Sequence, residues 1–193
     1  MGGSTPEAAP GPIRLGLYVR RLKRPLDVAG ALLLLPLGLL LIGIGALLLL
    51  LTEGPPVLYR QERVGRGGRL FRLYKLRTMV RDAEARTGPV WSTADDPRTT
   101  RMGRLLRSTR LDELPQLFNV LRGDMSLVGP RPERPSFVQD LLKQIPDYGQ
   151  RLLLRPGMTG WSQVAGQHDQ SLADVYEQLR YDLFYLRHVS FWL

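Results

Sequence analysis

The chain has 193 residues, with 27 lysines and arginines against 18 acidic residues, two histidines and no cysteine. A net charge of +9 draws phosphate in some form: nucleic acid, anionic lipid or a phosphorylated small molecule. The absence of thiols excludes disulfides, thiolate metal sites and cysteine nucleophiles, and His168 and His188 lack the spacing of a zinc-binding helix pair.

Residues 1–12 are rich in Gly, Pro, Ala and Ser without periodicity and read as disordered. Residues 13–52 read as a basic entry followed by a membrane segment. Residues 28–51 are 24 consecutive uncharged residues, 13 of them leucine. As a straight helix this run would be ~36 Å long, enough for a hydrocarbon core of ~30 Å. It is too long for the apolar core of a secretory signal, and no small-residue cleavage site follows it.

Basic residues crowd both ends of the run. Arg14, Arg20, Arg21, Lys23 and Arg24 precede it; Arg60, Arg63, Arg66, Arg69, Arg72, Lys75 and Arg77 follow it. Basic flanks favour the cytoplasmic face, so a single span would strand one set on the wrong side. Pro36 lacks an N–H and offers a place to bend. The expectation is a re-entrant helix broken at Pro36 with both ends on the cytoplasmic face; the alternative is a kinked single span. Asp27, at the entry, belongs at headgroup depth, because a carboxylate deeper in hydrocarbon is costly.

Residues 53–193 are long enough for one globular domain with its own core. Val57–Val64 and Leu70–Leu76 predict two strands joined by a turn at Gly65–Gly68. Thr78–Ala85 predicts one or two helical turns, and Thr87–Thr100 a loop. Four apolar stripes at i, i+3, i+4, i+7 spacing predict helices: Met102–Thr109, Leu114–Leu121 ending near Gly123, Phe137–Ile145 ended by Pro146, and Leu172–Leu183. Gly129–Pro132 and Arg155–Trp161 read as rigid loops between them. The predicted fold is mostly α with a small β-hairpin, as one cytoplasmic domain attached to a membrane segment.

Several residues could carry chemistry. Asp112 and Glu113 precede an apolar stripe with Pro115 in its first turn. A capping role explains them: Asp is a favoured N-cap and Glu suits the helix dipole. A helix-start aspartate kept ionised can equally be a nucleophile, with Glu113 as an oxygen ligand for Mg²⁺. Arg131 and Arg155 each sit beside proline on stiff backbone, which suits bidentate grip of a phosphate; solvated loop arginines are the plain alternative. Lys75 and Arg77 stand one pleat apart, a diphosphate site or a solvated strand edge.

Together these pieces resemble the bacterial sugar transferases, the monotopic phosphoglycosyl transferases acting on polyprenol phosphate. The similarity is carried by the stretch from Arg107-Ser108-Thr109-Arg110-Leu111-Asp112-Glu113-Leu114-Pro115 through Gly129-Pro130-Arg131-Pro132, with Lys75-Leu76-Arg77-Thr78, Arg155-Pro156-Gly157-Met158-Thr159-Gly160-Trp161 and Tyr181-Asp182 beside it. Arg24, Asp27 and Pro36 match the family's basic entry, aspartate and proline. The chain resembles the minimal catalytic form, and the resemblance implies a further membrane-associated segment after Ser190-Phe191.

The resemblance implies transfer of a sugar-1-phosphate from a UDP-sugar to undecaprenyl phosphate at the cytoplasmic face of the bacterial inner membrane, opening glycoconjugate synthesis. It implies Asp112 as covalent nucleophile, Glu113 with Asp112 as Mg²⁺ ligands, and Arg131, Arg155, Lys75, Arg77 and Arg107 as phosphate contacts. A basic membrane anchor binding anionic lipid or nucleic acid is the non-enzymatic alternative. No nucleic-acid module is recognisable, and aromatics are not interleaved with the basic residues. Neither the sugar nor the oligomeric state is written in the sequence.

Overall fold

The computed structural model describes residues 16–85, 88–91, 93, 95–165 and 171–191. The expected disorder of residues 1–12, and His168, lie outside them. A π-helical turn, Tyr18–Leu22, leads into helix α1, Lys23–Glu53. Strands β1, Leu58–Val64, and β2, Leu70–Leu76, follow. Helix α2 is Arg101–Ser108; a 3-10 turn at Leu111–Glu113 separates it from α3, Gln116–Arg122. Then come β3, Ser126–Val128, α4, Pro135–Gln144, a 3-10 segment at Tyr148–Leu153, β4, Gly157–Thr159, α5, Trp161–Val164, and α6, Leu172–His188.

The hairpin and the four helical stripes appear where the periodicities put them. β1 and β2 pair antiparallel from Leu58↔Leu76 to Val64↔Leu70, and Gly67 and Gly68 adopt the positive φ that the turn demands. Residues 81–85 form hydrogen-bonded turns rather than the expected helix, and Met79 instead bridges Thr99.

The two motifs read as loops are joined to one another. β3 and β4 pair in parallel, Ser126↔Gly157 and Val128↔Thr159. Gly129 donates its N–H to the Thr159 carbonyl at 2.9 Å, and Gly157 donates to Pro130 at 2.9 Å. A Cβ at Gly157 would fall 2.2 Å from the Gly129 nitrogen, so both motifs need glycine for the backbones to meet.

Asn119 ties α3 to the hairpin. Its fully buried side chain donates to the Arg72 carbonyl at 2.7 Å and accepts from the Tyr74 N–H at 3.1 Å, satisfying the open edge of β2 as a neighbouring strand would.

The expected break at Pro36 is not present: α1 continues through it as one helix. Proline in a helix interior frees one carbonyl and strains the preceding turn, yet the uncharged run on both sides supports helix, and one domain holds both halves. Ala31, Gly38 and Gly45, seven residues apart, form a buried stripe with Leu49. A Cβ at Gly38 would stand 2.8 Å from Leu117, and one at Gly45 2.8 Å from Leu76. The other face is bare leucine, with Leu33 82% and Leu51 74% exposed.

Polar contacts fasten both ends of the helix. Arg24 donates to the Val120 and Leu121 carbonyls at 2.6 and 3.0 Å, neutralising the C-terminal end of α3. Asp27 is buried in the protein. It accepts from the Ser126 hydroxyl at 2.8 Å and the Leu127 N–H at 3.2 Å, and Lys23 lies 3.5 Å away. At the far end Arg77 donates to the Glu53 and Gly54 carbonyls at 3.1 and 2.8 Å.

Candidate active site

Asp112 is not an N-cap. It sits inside the 3-10 turn Leu111–Glu113, which Arg110 enters with a left-handed φ of 59°, and α3 begins only at Gln116 with no side-chain cap. Leu111 anchors the turn, packing onto the cluster of Leu49, Leu76 and Leu106. The Asp112 carboxylate is therefore pulled inward: the residue is 4% exposed, and Oδ1 has no hydrogen-bond partner among the described residues.

That environment reverses the expected electrostatics. Burial, seconded by the adjacent Glu113 charge, pushes the Asp112 pKa up from 3.8 to about 6; Lys75, Arg107 and Arg131 pull the other way. No helix starts at Asp112 to hold its pKa down. At neutral pH the group is still mostly ionised. It is also more basic, hence more nucleophilic, than an ordinary aspartate.

Three of the expected cations converge on this carboxylate. Lys75 is on β2 opposite Tyr59, with its ammonium 5.5 Å from that ring's centre. Burial first, then the charges of Arg63, Arg107 and Arg131, bring its pKa down to about 8. Arg107, in the last turn of α2, donates from Nε to the Thr78 hydroxyl at 2.9 Å. Arg131 reaches from the β3–α4 connection to within 3.4 Å of Glu113 Oε1. Arg110 lies 3.8 Å from the same oxygen.

The remaining two lie elsewhere. Arg77 closes the end of α1, because β2 stops at Leu76 and the chain then turns towards Glu53. Arg155 donates from Nε to the Gly123 carbonyl at 2.9 Å and neighbours Arg24, Arg66 and Asp27 rather than Asp112. Arg63 is a residue the sequence reading passed over. It donates to the Pro132 carbonyl at 2.9 Å and to Gln61 Oε1 at 2.7 Å, and lies 3.6 Å from Glu133. The alternation Tyr59, Gln61, Arg63 on the strand paired with Lys75 was the available signal.

For a metal, the residues offer a carboxylate pair rather than a cage. No group of three or more candidate ligands gathers among the described residues. Mg²⁺ is commonly held by one or two carboxylates plus substrate phosphates and water. The adjacent Asp112 and Glu113, one with an unpartnered buried oxygen, fit that pattern.

The arrangement is a cluster of cations, Lys75, Arg107 and Arg131, around a buried carboxylate, beside an apolar helix. The chain belongs to the bacterial sugar transferase family, whose model matches residues 18–193. It is 41% identical over 172 residues to the UDP-N-acetylgalactosamine-undecaprenyl-phosphate N-acetylgalactosaminephosphotransferase of Aeromonas hydrophila, covering 89% of this chain and 40% of that protein. A Bacillus subtilis (strain 168) protein, named provisionally as an undecaprenyl-phosphate N-acetylgalactosaminyl 1-phosphate transferase, is 52% identical over 131 residues, covering 68% of this chain and 73% of its own. The UDP-glucose:undecaprenyl-phosphate glucose-1-phosphate transferase of Caulobacter vibrioides is 42% identical over 174 residues, covering 88% and 64%. The chain thus spans well under half of the Aeromonas relative's length, and the sugars in these names differ.

Proposed function

We propose that the protein transfers a sugar-1-phosphate from a UDP-sugar to undecaprenyl phosphate, releasing UMP. The observation that carries this reading is the buried Asp112 carboxylate with a free Oδ1, beside Glu113 and within the field of Lys75, Arg107 and Arg131. Asp112 attacks the β-phosphorus, the anhydride bond to UMP breaks, and UMP takes the bonding electron pair. The sugar-phosphate is then held on Asp112 as an acyl phosphate. An oxygen of the lipid phosphate attacks the same phosphorus and returns Asp112 to its carboxylate.

Lys75, Arg107 and Arg131 stabilise charge on the phosphoryl oxygens, and Arg63 stiffens the loop that presents Arg131. Asp112 and Glu113 would hold Mg²⁺, which when bound supplies neutralisation of the diphosphate. The protein is monotopic in this reading, with both ends of α1 on the cytoplasmic side. Its support is the docking of α1 along its whole length on one charged domain, from Arg24 to Glu53, with basic flanks at each end. A helix held this way lies in the membrane surface with its bare leucines in lipid.

The test is UMP release from a panel of UDP-sugars with undecaprenyl phosphate and Mg²⁺, paired with mass spectrometry of protein exposed to UDP-sugar alone. A single phosphosugar on the Asp112 peptide and ping-pong kinetics support the two-step route. Ternary-complex kinetics with an unmodified peptide would replace it with direct displacement.

A further inference from the structure

A second basic cavity lies toward the opposite end of α1 from Asp112. It is lined by Val19, Lys23, Asp27, Arg66, Ser126, Leu154 and Arg155. We infer that this cavity binds the phosphate group of a lipid, as a docking site separate from the reaction centre.

The charge balance motivates the inference. Lys23, Arg66 and Arg155 face a single carboxylate, Asp27, with Arg24 close by. Asp27 is already engaged by Lys23, the Ser126 hydroxyl and the Leu127 N–H. Arg24 is occupied by the carbonyls at the end of α3. Arg155 spends only Nε, on Gly123; its two terminal nitrogens make no hydrogen bond among the described residues. The Arg66 side chain, on the exposed hairpin turn, makes none among the described residues either. Burial and the neighbouring Arg24 and Arg66 charges lower the Arg155 pKa, with Asp27 pulling the other way.

The surroundings select an anion with an apolar tail. Val19 and Leu154 form part of the wall, and Leu17, Leu22 and Leu26 are exposed on the same end of the helix. A phosphate ester there would meet guanidinium donors while its chain lay along leucine. The lining of this cavity includes none of Asp112, Lys75, Arg107 and Arg131. The inference rests on the membrane-surface placement proposed above but not on the transfer chemistry.

The test is equilibrium binding to the full chain in a phosphate-free detergent, with no nucleotide sugar present. The probes are a short-chain polyprenyl phosphate, a short-chain phosphatidic acid and inorganic phosphate. Wild type should bind at least one lipid phosphate about tenfold or more tightly than does Arg66→Gln or Arg66→Gln/Arg155→Gln, and more tightly than it binds inorganic phosphate. Arg155→Lys should retain part of the affinity, and Asp112→Asn all of it. Preference for the polyprenyl phosphate assigns the site to the acceptor; equal binding of both lipids assigns it to phospholipid headgroups. Unchanged affinity in Arg66→Gln and in the double variant, inorganic phosphate binding as well as the lipids, or loss in Asp112→Asn instead would overturn the inference. Because turnover is not read, a failure here and a failure of the proposed reaction are separable.

Discussion

Arg151 donates to the main-chain oxygen of Arg131 at 2.9 Å. The same Nη2 pairs with Asp182 of α6 at 2.7 Å, the two side chains being 3% and 1% exposed, and Nη1 donates to the Tyr148 hydroxyl at 2.7 Å. The backbone that carries Arg131 to Glu113 is thus bolted to the last helix by a buried ion pair. Asp182→Ala removes the carboxylate that faces the buried Arg151 charge, and should cost about 3–5 kcal/mol. Replacing both by apolar residues, Arg151→Met/Asp182→Leu, should cost much less stability while still loosening Arg131. Thermal unfolding of the single and double variants checks the first part. Weakened UDP-sugar binding in the stable double variant checks the second.

Asp112 is expected to be a stability cost that the fold tolerates. Its folded pKa of about 6 lies above the ordinary 3.8. Between those values the unfolded chain gives up its proton first, so stability falls as pH rises through that window. At neutral pH the ionised group costs about 3 kcal/mol, taking ~1.4 kcal/mol per unit. Asp112→Asn should therefore raise stability by about 1–3 kcal/mol at pH 7.5, show no gain near pH 4, and abolish turnover. A variant destabilised at neutral pH would restore a structural role for the carboxylate.

The proposed reaction needs Asp112 ionised and Lys75 protonated, and burial moves their pKa values towards each other, to about 6 and about 8. The dependence of kcat/KM on pH should be bell-shaped, rising with the first and falling with the second; both limbs belong to the coupled cluster. Lys75→Arg, which keeps its charge, should move the falling limb to higher pH. A profile flat from pH 5 to 9 would remove both groups from the chemistry.

The helices and the hairpin were legible in the sequence because each buries one face, and burial writes its period into the chain. That Lys75, Arg107 and Arg131 would gather at Asp112 and Glu113 was suggested by residue type and resemblance. What the sequence hid was set by contacts between distant segments. Asp112 looked like a cap because Pro115 suits a first turn; the left-handed Arg110 and the packing of Leu111 make a 3-10 turn there instead. Arg77 and Arg155 were expected beside Asp112, because a lone arginine shows only its charge, and the structure places both away from it. The carbonyls that claim part of each, at Glu53, Gly54 and Gly123, come from other elements. Asn119, mid-helix and polar, carried no sign that it would complete a strand edge.

The placement of α1 predicts its topology. Small residues at Ala31, Gly38 and Gly45 and polar ties at both ends hold it flat on one domain, so residues before and after it should lie on one side of the membrane. The chain has no cysteine, which makes single cysteines at Gly16 and Gly67 clean reporters. Both should resist a membrane-impermeant thiol reagent added outside intact bacteria and react after lysis. Since the helix already runs through Pro36, Pro36→Leu should leave both protected. Gly38→Leu/Gly45→Leu should not be neutral: each added Cβ would stand 2.8 Å from a core leucine, so the helix must lift. Lifting should speed proteolysis of the domain and lower turnover even if the chain stays in the membrane. Reaction of one cysteine but not the other in intact cells would mean that α1 spans the bilayer and that its docked face separates on insertion.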